Sequence, residues 1–471
     1  MKANKLIGRD KEQVELQKAI DSDRAELIAV YGRRRIGKTF LVRQYFRDEF
    51  DFYFTGIYEA TKRETLGRFS QELNRNSSVY YPPVEDWFEA FEQLRQYLST
   101  IKKEKVVVFL DELPWMDTPR SRFIKAFDYF WNSWASAQDN IKLIVCGSAT
   151  TWMTKELIGA KGGLHNRVTR HINVKAFTLY ETEQYLKSIG VVWNRQQILE
   201  SYMIMGGTPY YLSMIDKSMS LNQNIDQLFF GQNAQLRSEY DFLFKSLFKN
   251  SMIYRRVVEI LATKSRGMTR GELMKELGQT DGGALTEVLS NLKSCDFLRS
   301  YAAFGKRERD VMYQLTDMYT LFYLQFVKSY NGQDLHKWSN LADTPVRHAW
   351  SGYAFEQVCL HHIEQIKKSL GILGVRGDVC SWLLPQKGQI DLIIDRNDQV
   401  INLCEMKYSS TEYEITAKYE EVLQRRRELF RQETRTKKAL HLTMVTTYGI
   451  VKNAHSGNVQ SEVTMEGLFE R

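Results

Sequence analysis

Proline is scarce in this chain, at seven residues in 471, and no low-complexity tract or internal repeat interrupts it. Hydrophobic residues make up 43%, aromatic residues 13% and charged residues 26%. That balance excludes a disordered or collagen-like chain and leaves a globular one, long enough for about three domains at roughly 150 residues each. Cysteine is scarce too: Cys146, Cys295, Cys359, Cys380 and Cys404 are odd in number and widely scattered. No pair has zinc-ligand spacing, and the pattern fits a reducing compartment better than a disulfide framework. Cys146 and Cys404 stand in apolar runs, where cysteine serves as a small core residue. No apolar run approaches the ~18 residues needed to span a membrane, and MKANKLIGRDKEQVELQKAI at the start has no apolar signal region. The expectation is a cytoplasmic protein with no membrane partner. Nor is there a large excess of one charge. A net charge of +8 permits nucleic-acid binding, but its distribution decides the matter.

What is present begins with apolar runs bounded by turn residues. ELIAVYG (26–32), VVVFLDE (106–112) and IKLIVCGS (141–148) read as buried parallel strands, with helical patterns over 39–46 and 86–97 between them. This alternation predicts a doubly wound α/β sheet. From Thr178 to about Phe230 the pattern is helical. Over 251–324 the rhythm changes to three short helices, the second capped by Thr269, followed by a two-stranded wing, LRSYAAFGKRERDVMYQLTD. This is a winged-helix pattern. Its would-be recognition helix, GGALTEVLSNLKS, carries one Lys and one Glu, so packing module and DNA reader both remain open, with packing favoured. A last segment starts near Val346 with a helix through GYAFEQVCLHHIEQI. Strands DLIIDR and VINLCEMKYS follow, then a helix over 417–432.

Two motifs carry chemistry. Gly32-Arg33-Arg34-Arg35-Ile36-Gly37-Lys38-Thr39 fits G-x-x-x-x-G-K-[ST], followed by Phe40 at the start of a helix. The glycines let backbone N–H groups curl around phosphate oxygens, Lys38 would reach the β and γ phosphates, and the Thr39 hydroxyl would bind Mg²⁺. The apolar run ending in Asp111-Glu112 supplies the partner. Asp111 would hold the metal, and Glu112 would polarise the attacking water.

Around this cradle the sequence resembles the archaeal-type ATPases, the AAA+-like branch grouped with the STAND ATPases. LIGRDKEQVELQ resembles their entry box, which implies that Gly8 and Arg9 lie near the adenine. VCGSATTWM resembles the sensor strand and implies Ser148 near the γ-phosphate. LHNRVTRHINVKAF implies that Arg167 acts on the γ-phosphate of its own or a neighbouring subunit, and MGGTPYYL resembles the lid motif containing Pro209. The resemblance covers about 6–212 and implies ATP, Mg²⁺ and a homo-oligomer.

The second motif is Asp391 followed by Glu405-Met406-Lys407. On neighbouring strands Asp391 and Glu405 can face one pocket, with Lys407 on the face of Glu405. Two carboxylates suit Mg²⁺ or Mn²⁺, and a lysine can position the water that attacks phosphorus. Glu356 offers a third acid from the helix upstream. The other reading of Glu405 and Lys407 is an exposed same-face ion pair. The order helix-Glu, Asp, Glu-x-Lys resembles the PD-(D/E)xK nucleases over about 351–447, with Ile390 where a proline usually stands. In 417–438 basic residues outnumber acidic ones eight to four. Arg425, Arg426, Arg427 and Arg431 would meet phosphates, and Gln424 would face the metal.

These readings predict an α/β chain of a P-loop core (1–175), a helical lid (176–248), a winged helix (249–335) and a nuclease-like α/β domain (345–471). The expected function is an ATP-hydrolysing protein whose nucleotide state controls metal-dependent cleavage of nucleic acid, DNA above all. The alternative is a regulatory switch or DNA-binding scaffold with an inactive nuclease-like domain.

Overall fold

The computed structural model describes residues 6–159, 164, 166–248, 250–278, 282–302, 304–305, 311–384 and 388–471. The chain divides into two compact units, Met1–Ala176 and Phe177–Arg471.

The first unit is built on strands β1 (Glu26–Tyr31), β2 (Phe52–Thr55), β3 (Val106–Asp111), β4 (Ile141–Gly147) and β5 (Arg170–Asn173). All pair in parallel, in the order β2-β3-β4-β1-β5. Side chains that alternate along a strand feed two separate cores. Leu27, Ala29, Leu143 and Val145 join one, while Ile28, Val30, Ile144 and Cys146 join the other. Burial on both faces explains why these strands read as unbroken apolar runs. The sheet is the expected α/β layer, and β4 lies between β1 and β3.

In the second unit, helices Leu179–Ser188 and Arg195–Met205 each start on a capping box, Thr178 with Glu181 and Asn194 with Gln197. Helices Ser251–Ala262, Arg270–Leu277 and Gly283–Ser294 then pack with a small antiparallel sheet. Its strands are β6 (Met268–Thr269), β7 (Leu298–Tyr301) and β8 (Met312–Leu315), in the order β6-β8-β7. Thr269 does cap its helix, accepting from the Glu272 N–H. Of the basic wing tract GKRERD, residues 306–310 lie outside the described residues.

The C-terminal part is a mixed sheet of β9 (Gly377–Leu384), β10 (Gly388–Arg396), β11 (Val400–Lys407), β12 (Ala439–Thr446) and β13 (Ser461–Val463). Strands β9, β10 and β11 form an antiparallel meander, whereas β11, β12 and β13 are parallel. Helix Ala417–Thr434 is the crossover that the parallel pair β11–β12 requires. One face of the sheet, through Leu392, Ile394, Cys404 and Met406, belongs to a single core that runs from Phe177 to Phe469. The other face packs Ile393, Ile401 and Leu403 under Leu423 and Phe430 of the crossover helix.

One helix differs from its expected course. The pattern through GYAFEQVCLHHIEQI predicts continuity, but helix Pro345–His361 stops and a new one starts at Ile363. His362 between them has φ −116° and ψ 34°. Its imidazole takes up local hydrogen bonds: Nδ1 meets the Val358 carbonyl at 2.8 Å, and Nε2 accepts from the Leu179 N–H at 2.9 Å.

Candidate functional site: a phosphate cradle and a separate acid pocket

The cradle sits at the carboxyl end of β1. Gly32 has φ +145°, and a Cβ there would come within 2.2 Å of the Val174 carbonyl, so only glycine fits. Gly37, at φ +84°, is the left-handed residue that starts helix Lys38–Tyr45. Arg35 is left-handed as well, at φ 77°. Lys38 is buried, and its ammonium donates to the Arg33 carbonyl at 3.0 Å, folding back on the loop that would surround a phosphate. Ile36 and Arg33 are buried, Arg34 is half-buried, and Phe40 is exposed.

The ends of three adjacent strands converge here. Thr39 Oγ1 donates to Asp111 Oδ2 at 2.9 Å, so the helix hydroxyl and the strand-end carboxylate already share one point. Glu112 follows with a left-handed backbone, φ 47° and ψ 48°. Its Oε2 accepts from Ser148 twice, from Oγ at 2.8 Å and from the backbone N–H at 3.1 Å. Because β4 lies between β1 and β3, Ser148 stands between the cradle and the acids. An all-oxygen pair such as Thr39 and Asp111 suits a hard cation of the Mg²⁺ type.

Other residues singled out from the sequence take different places. Arg9 is buried and braces the loop from behind, donating to Ile36 O at 2.9 Å and Lys175 O at 2.6 Å. Gly8, left-handed at φ 63°, offers its carbonyl to Gln13 Nε2 at 2.7 Å. Arg167 is exposed and precedes β5, whose register begins at Ile28 beside Arg170. It therefore stands at the amino end of β1, roughly 15 Å along the strand direction from the cradle of its own chain. Pro209 belongs to the second unit, where it opens helix Pro209–Leu212. The glycine before that helix has its own reason: a Cβ at Gly207 would come within 1.9 Å of the Phe177 carbonyl.

The second unit gathers its acids in one polar cavity of about 260 Å³, lined by Glu356, Gln357, Asp391, Glu405, Lys407 and Arg426, with Gln389, Ser265, Gln314 and Leu360. Asp391 is brought there at an irregularity: the register of β10 against β9 shifts between Ile390 and Ile393. A bulge of this kind re-aims a side chain. Burial, then Asp391, raise the Glu356 carboxyl to about 7, with Lys407 opposing. The Glu405 carboxylate is already engaged. Arg426 Nη1 pairs with Oε1, Tyr419 Oη donates to Oε2 at 3.1 Å, and Lys407 Nζ stands 4.0 Å away. Asp391 accepts from Gln389 Nε2. Among the described residues no three His, Cys, Asp or Glu side chains are arranged to hold a metal ion. As they stand, these residues do not fit a divalent cation.

Gln424 does not face this cavity; it donates to Glu420 at 3.1 Å. Two residues on, roughly 200° around a helix, Arg426 takes the inward position instead. Sequence reasoning missed the contribution of Ser265 and Gln314 from the small sheet, and that of Gln357. The last could have been found: it follows Glu356 directly on the same helix. No local signal marked the other two.

Comparison with known proteins agrees with the cradle. Residues 6–215 match the family model described as an ATPase domain predominantly from Archaea. An uncharacterized protein of Methanocaldococcus jannaschii is 24% identical over 324 residues, which is 68% of this chain and 69% of that protein. A Walker-type ATPase of Pyrococcus abyssi shares the fold at a TM-score of 0.50 with 16% identity, over 68% of this chain and 96% of its own. Both alignments run over more of the chain than residues 6–215. No helix among the described residues is long and apolar enough to cross a membrane. Residues 6–215 are thus similar to an ATPase domain of the archaeal type, on a P-loop α/β fold.

Proposed function

We propose that the first unit binds ATP with Mg²⁺ and hydrolyses it, and that its nucleotide state governs a second unit directed at nucleic acid. The observation that carries the first half is the Thr39–Asp111 contact at 2.9 Å, with Glu112 beside it in the grip of Ser148. Lys38 would turn from the Arg33 carbonyl to the β and γ phosphates, joined by the N–H groups that start the helix after Gly37. Glu112 would accept a proton from, or orient, the attacking water, and Ser148 would hold it in place. When bound, Mg²⁺ supplies neutralisation of the phosphate charge. Arg167, remote from its own cradle, would serve the γ-phosphate of a neighbouring copy in a homo-oligomer. Lys38→Ala should abolish ATP binding. Glu112→Gln should keep binding and lose about 10²–10⁴-fold in turnover. Normal turnover in Glu112→Gln would remove it from this role.

For the second unit the proposal is a lid at 176–248, a winged helix at 249–335 and a PD-(D/E)xK-like domain at 345–471, acting on DNA. Support comes from the shared cavity of Asp391, Glu405, Lys407 and Glu356. One observation favours the alternative of a regulatory switch with an inactive nuclease-like domain. Arg426 and Tyr419 occupy the Glu405 oxygens that a metal would need. Cleavage of DNA by the full chain with Mn²⁺, lost in Asp391→Ala and Lys407→Ala while ATP hydrolysis continues, separates the two.

A further inference from the structure

The acid cavity holds charges that the chain leaves unspent, and they are of both signs. Glu405 is satisfied by Arg426 and Tyr419 and offers a ligand little. The Glu356 carboxyl, by contrast, takes part in no hydrogen bond among the described residues, and Asp391 accepts only from Gln389 Nε2. The Lys407 ammonium makes no hydrogen bond there either. It stands 4.0 Å from Glu405 Oε2 and 5.4 Å from the centre of the Tyr419 ring. Strand alternation puts Lys407 on the face of Glu405, and the irregularity in β10 brings Asp391 to the same cavity.

A neutral group in the same lining is unsatisfied. Gln357 lines the cavity at 1% exposed, and its Oε1 has no donor. Buried acceptors are nearly always paired, so this one marks a place for a donor from outside the chain. A lone organic cation would answer the acids and Gln357 but would be opposed by Lys407. A lone anion would answer Lys407 but would be opposed by the acids. A small molecule that carries both an ammonium and a carboxylate answers all of them. The cavity, at about 260 Å³, is smaller than the roughly 300–1,000 Å³ of pockets that hold drug-sized ligands. Among the described residues that line it only Leu360 is apolar, and Ser265 is also exposed to solvent, so the cavity opens outward.

We propose that this cavity binds a free amino acid with a polar side chain, its ammonium held by Glu356, Asp391 and the Gln357 amide oxygen and its carboxylate by Lys407. This rests on the second reading of that unit, a switch whose nuclease-like domain is inactive, and names what the switch senses. The lining comes from the small sheet through Gln314 on β8 and from the mixed sheet through Asp391 and Lys407. An occupant therefore touches both sheets and resists their separation, which gives its presence a structural consequence.

The test is thermal melting and titration calorimetry of the full chain, without nucleotide, with each proteinogenic amino acid in turn. One or more with polar side chains should bind saturably and raise Tm, as a ligand of the folded state must, and leucine and phenylalanine should not. For the tightest binder, the amine that lacks its carboxylate and the acid that lacks its amino group should each bind roughly 10- to 100-fold more weakly. Those comparisons use the wild-type chain and need no variant. Lys407→Gln and Asp391→Asn should each weaken binding by a similar factor, with a single melting transition and unchanged ATP binding as the check on folding. Absence of binding by every amino acid overturns the proposal, as does equally tight binding of leucine, of either truncated analogue, or by both variants. DNA cleavage by the same protein in Mn²⁺ is measured alongside. Asp391-dependent cleavage overturns the switch reading and this site with it, whereas absence of both cleavage and amino-acid binding overturns this site alone.

Discussion

Ser148 spends both its donors on one oxygen of Glu112, and Glu112 pays for its position with a left-handed backbone. Non-glycine residues in that region cost of order 1 kcal/mol or more and persist where surrounding contacts fix them. The pairing therefore sets where the Glu112 carboxylate can stand when water attacks. A hydrogen bond to a charged group is worth about 1.5–3 kcal/mol, or about 10- to 100-fold in rate if it is realised in the transition state. Ser148→Ala should lower kcat of ATP hydrolysis by that amount with KM for ATP unchanged, and Ser148→Thr should recover most of it. An unchanged kcat in steady-state kinetics would show that Glu112 finds its place without the serine hydroxyl.

At the scale of elements, His362 joins the end of one helix to the start of another. Burial holds its pKa down at about 4, against 6.5 for the ordinary side chain. The unfolded chain binds a proton there between pH 6.5 and 4 and the folded chain does not, so stability is complete above 6.5 and falls as pH drops through that window. The loss near pH 5 is about 2 kcal/mol relative to neutral pH. Glu356 works in the opposite sense. Its carboxyl is raised to about 7, so its contribution is present below 4.5 and lost as pH rises through 7. The two terms oppose each other between pH 5.0 and 7.5, so denaturant midpoints at these pH values should lie close together in wild type and move apart in His362→Gln, with the pH 5.0 midpoint the higher. If wild type and variant show the same pH dependence, His362 is not the titrating link. The crossover helix makes a second prediction. Arg425 and Arg431 are exposed on it while Arg426 is tied to Glu405. If DNA lies along this face, replacing Arg425 and Arg431 with Ala should reduce the log–log salt slope of duplex binding by about 2.

The same elements explain what could be read in advance. β1, β3 and β4 were legible because burial on both faces demands continuous apolar runs. The short edge strands FYFT and RHIN carry no such run and owe their state to pairing with β3 and β1. The cradle was legible because its glycines serve a backbone shape that few other residues allow. The acids of the second unit were legible as a motif, but not the bulge at Asp391, which depends on pairing with β9. Nor was Arg426 over Gln424 legible, since that choice depends on the rotation of a whole helix about its axis.

Across the whole molecule, the second unit has a core that does not respect the segments its sequence suggests. Phe177, Leu261, Trp350, Cys404 and Phe469 all belong to one buried cluster. A fragment of 177–471 should accordingly unfold in one cooperative transition by calorimetry. A fragment of 345–471 would lose helix Arg195–Met205, which packs on its helix Pro345–His361, and so expose apolar residues of that shared core. It should aggregate or bind hydrophobic dyes, because exposed apolar faces of that size seek partners. A well-behaved, sharply melting 345–471 fragment would show that the shared core is dispensable.

That shared core also bears on heredity. Genetic exchange between related chains succeeds where few contacts cross the junction and fails where it parts side chains that have been selected together. The acid-bearing segment is therefore not a cassette that recombination can trade at codon 345. It would have to travel with the helices from Phe177 onward, and lineages should inherit the two as one block.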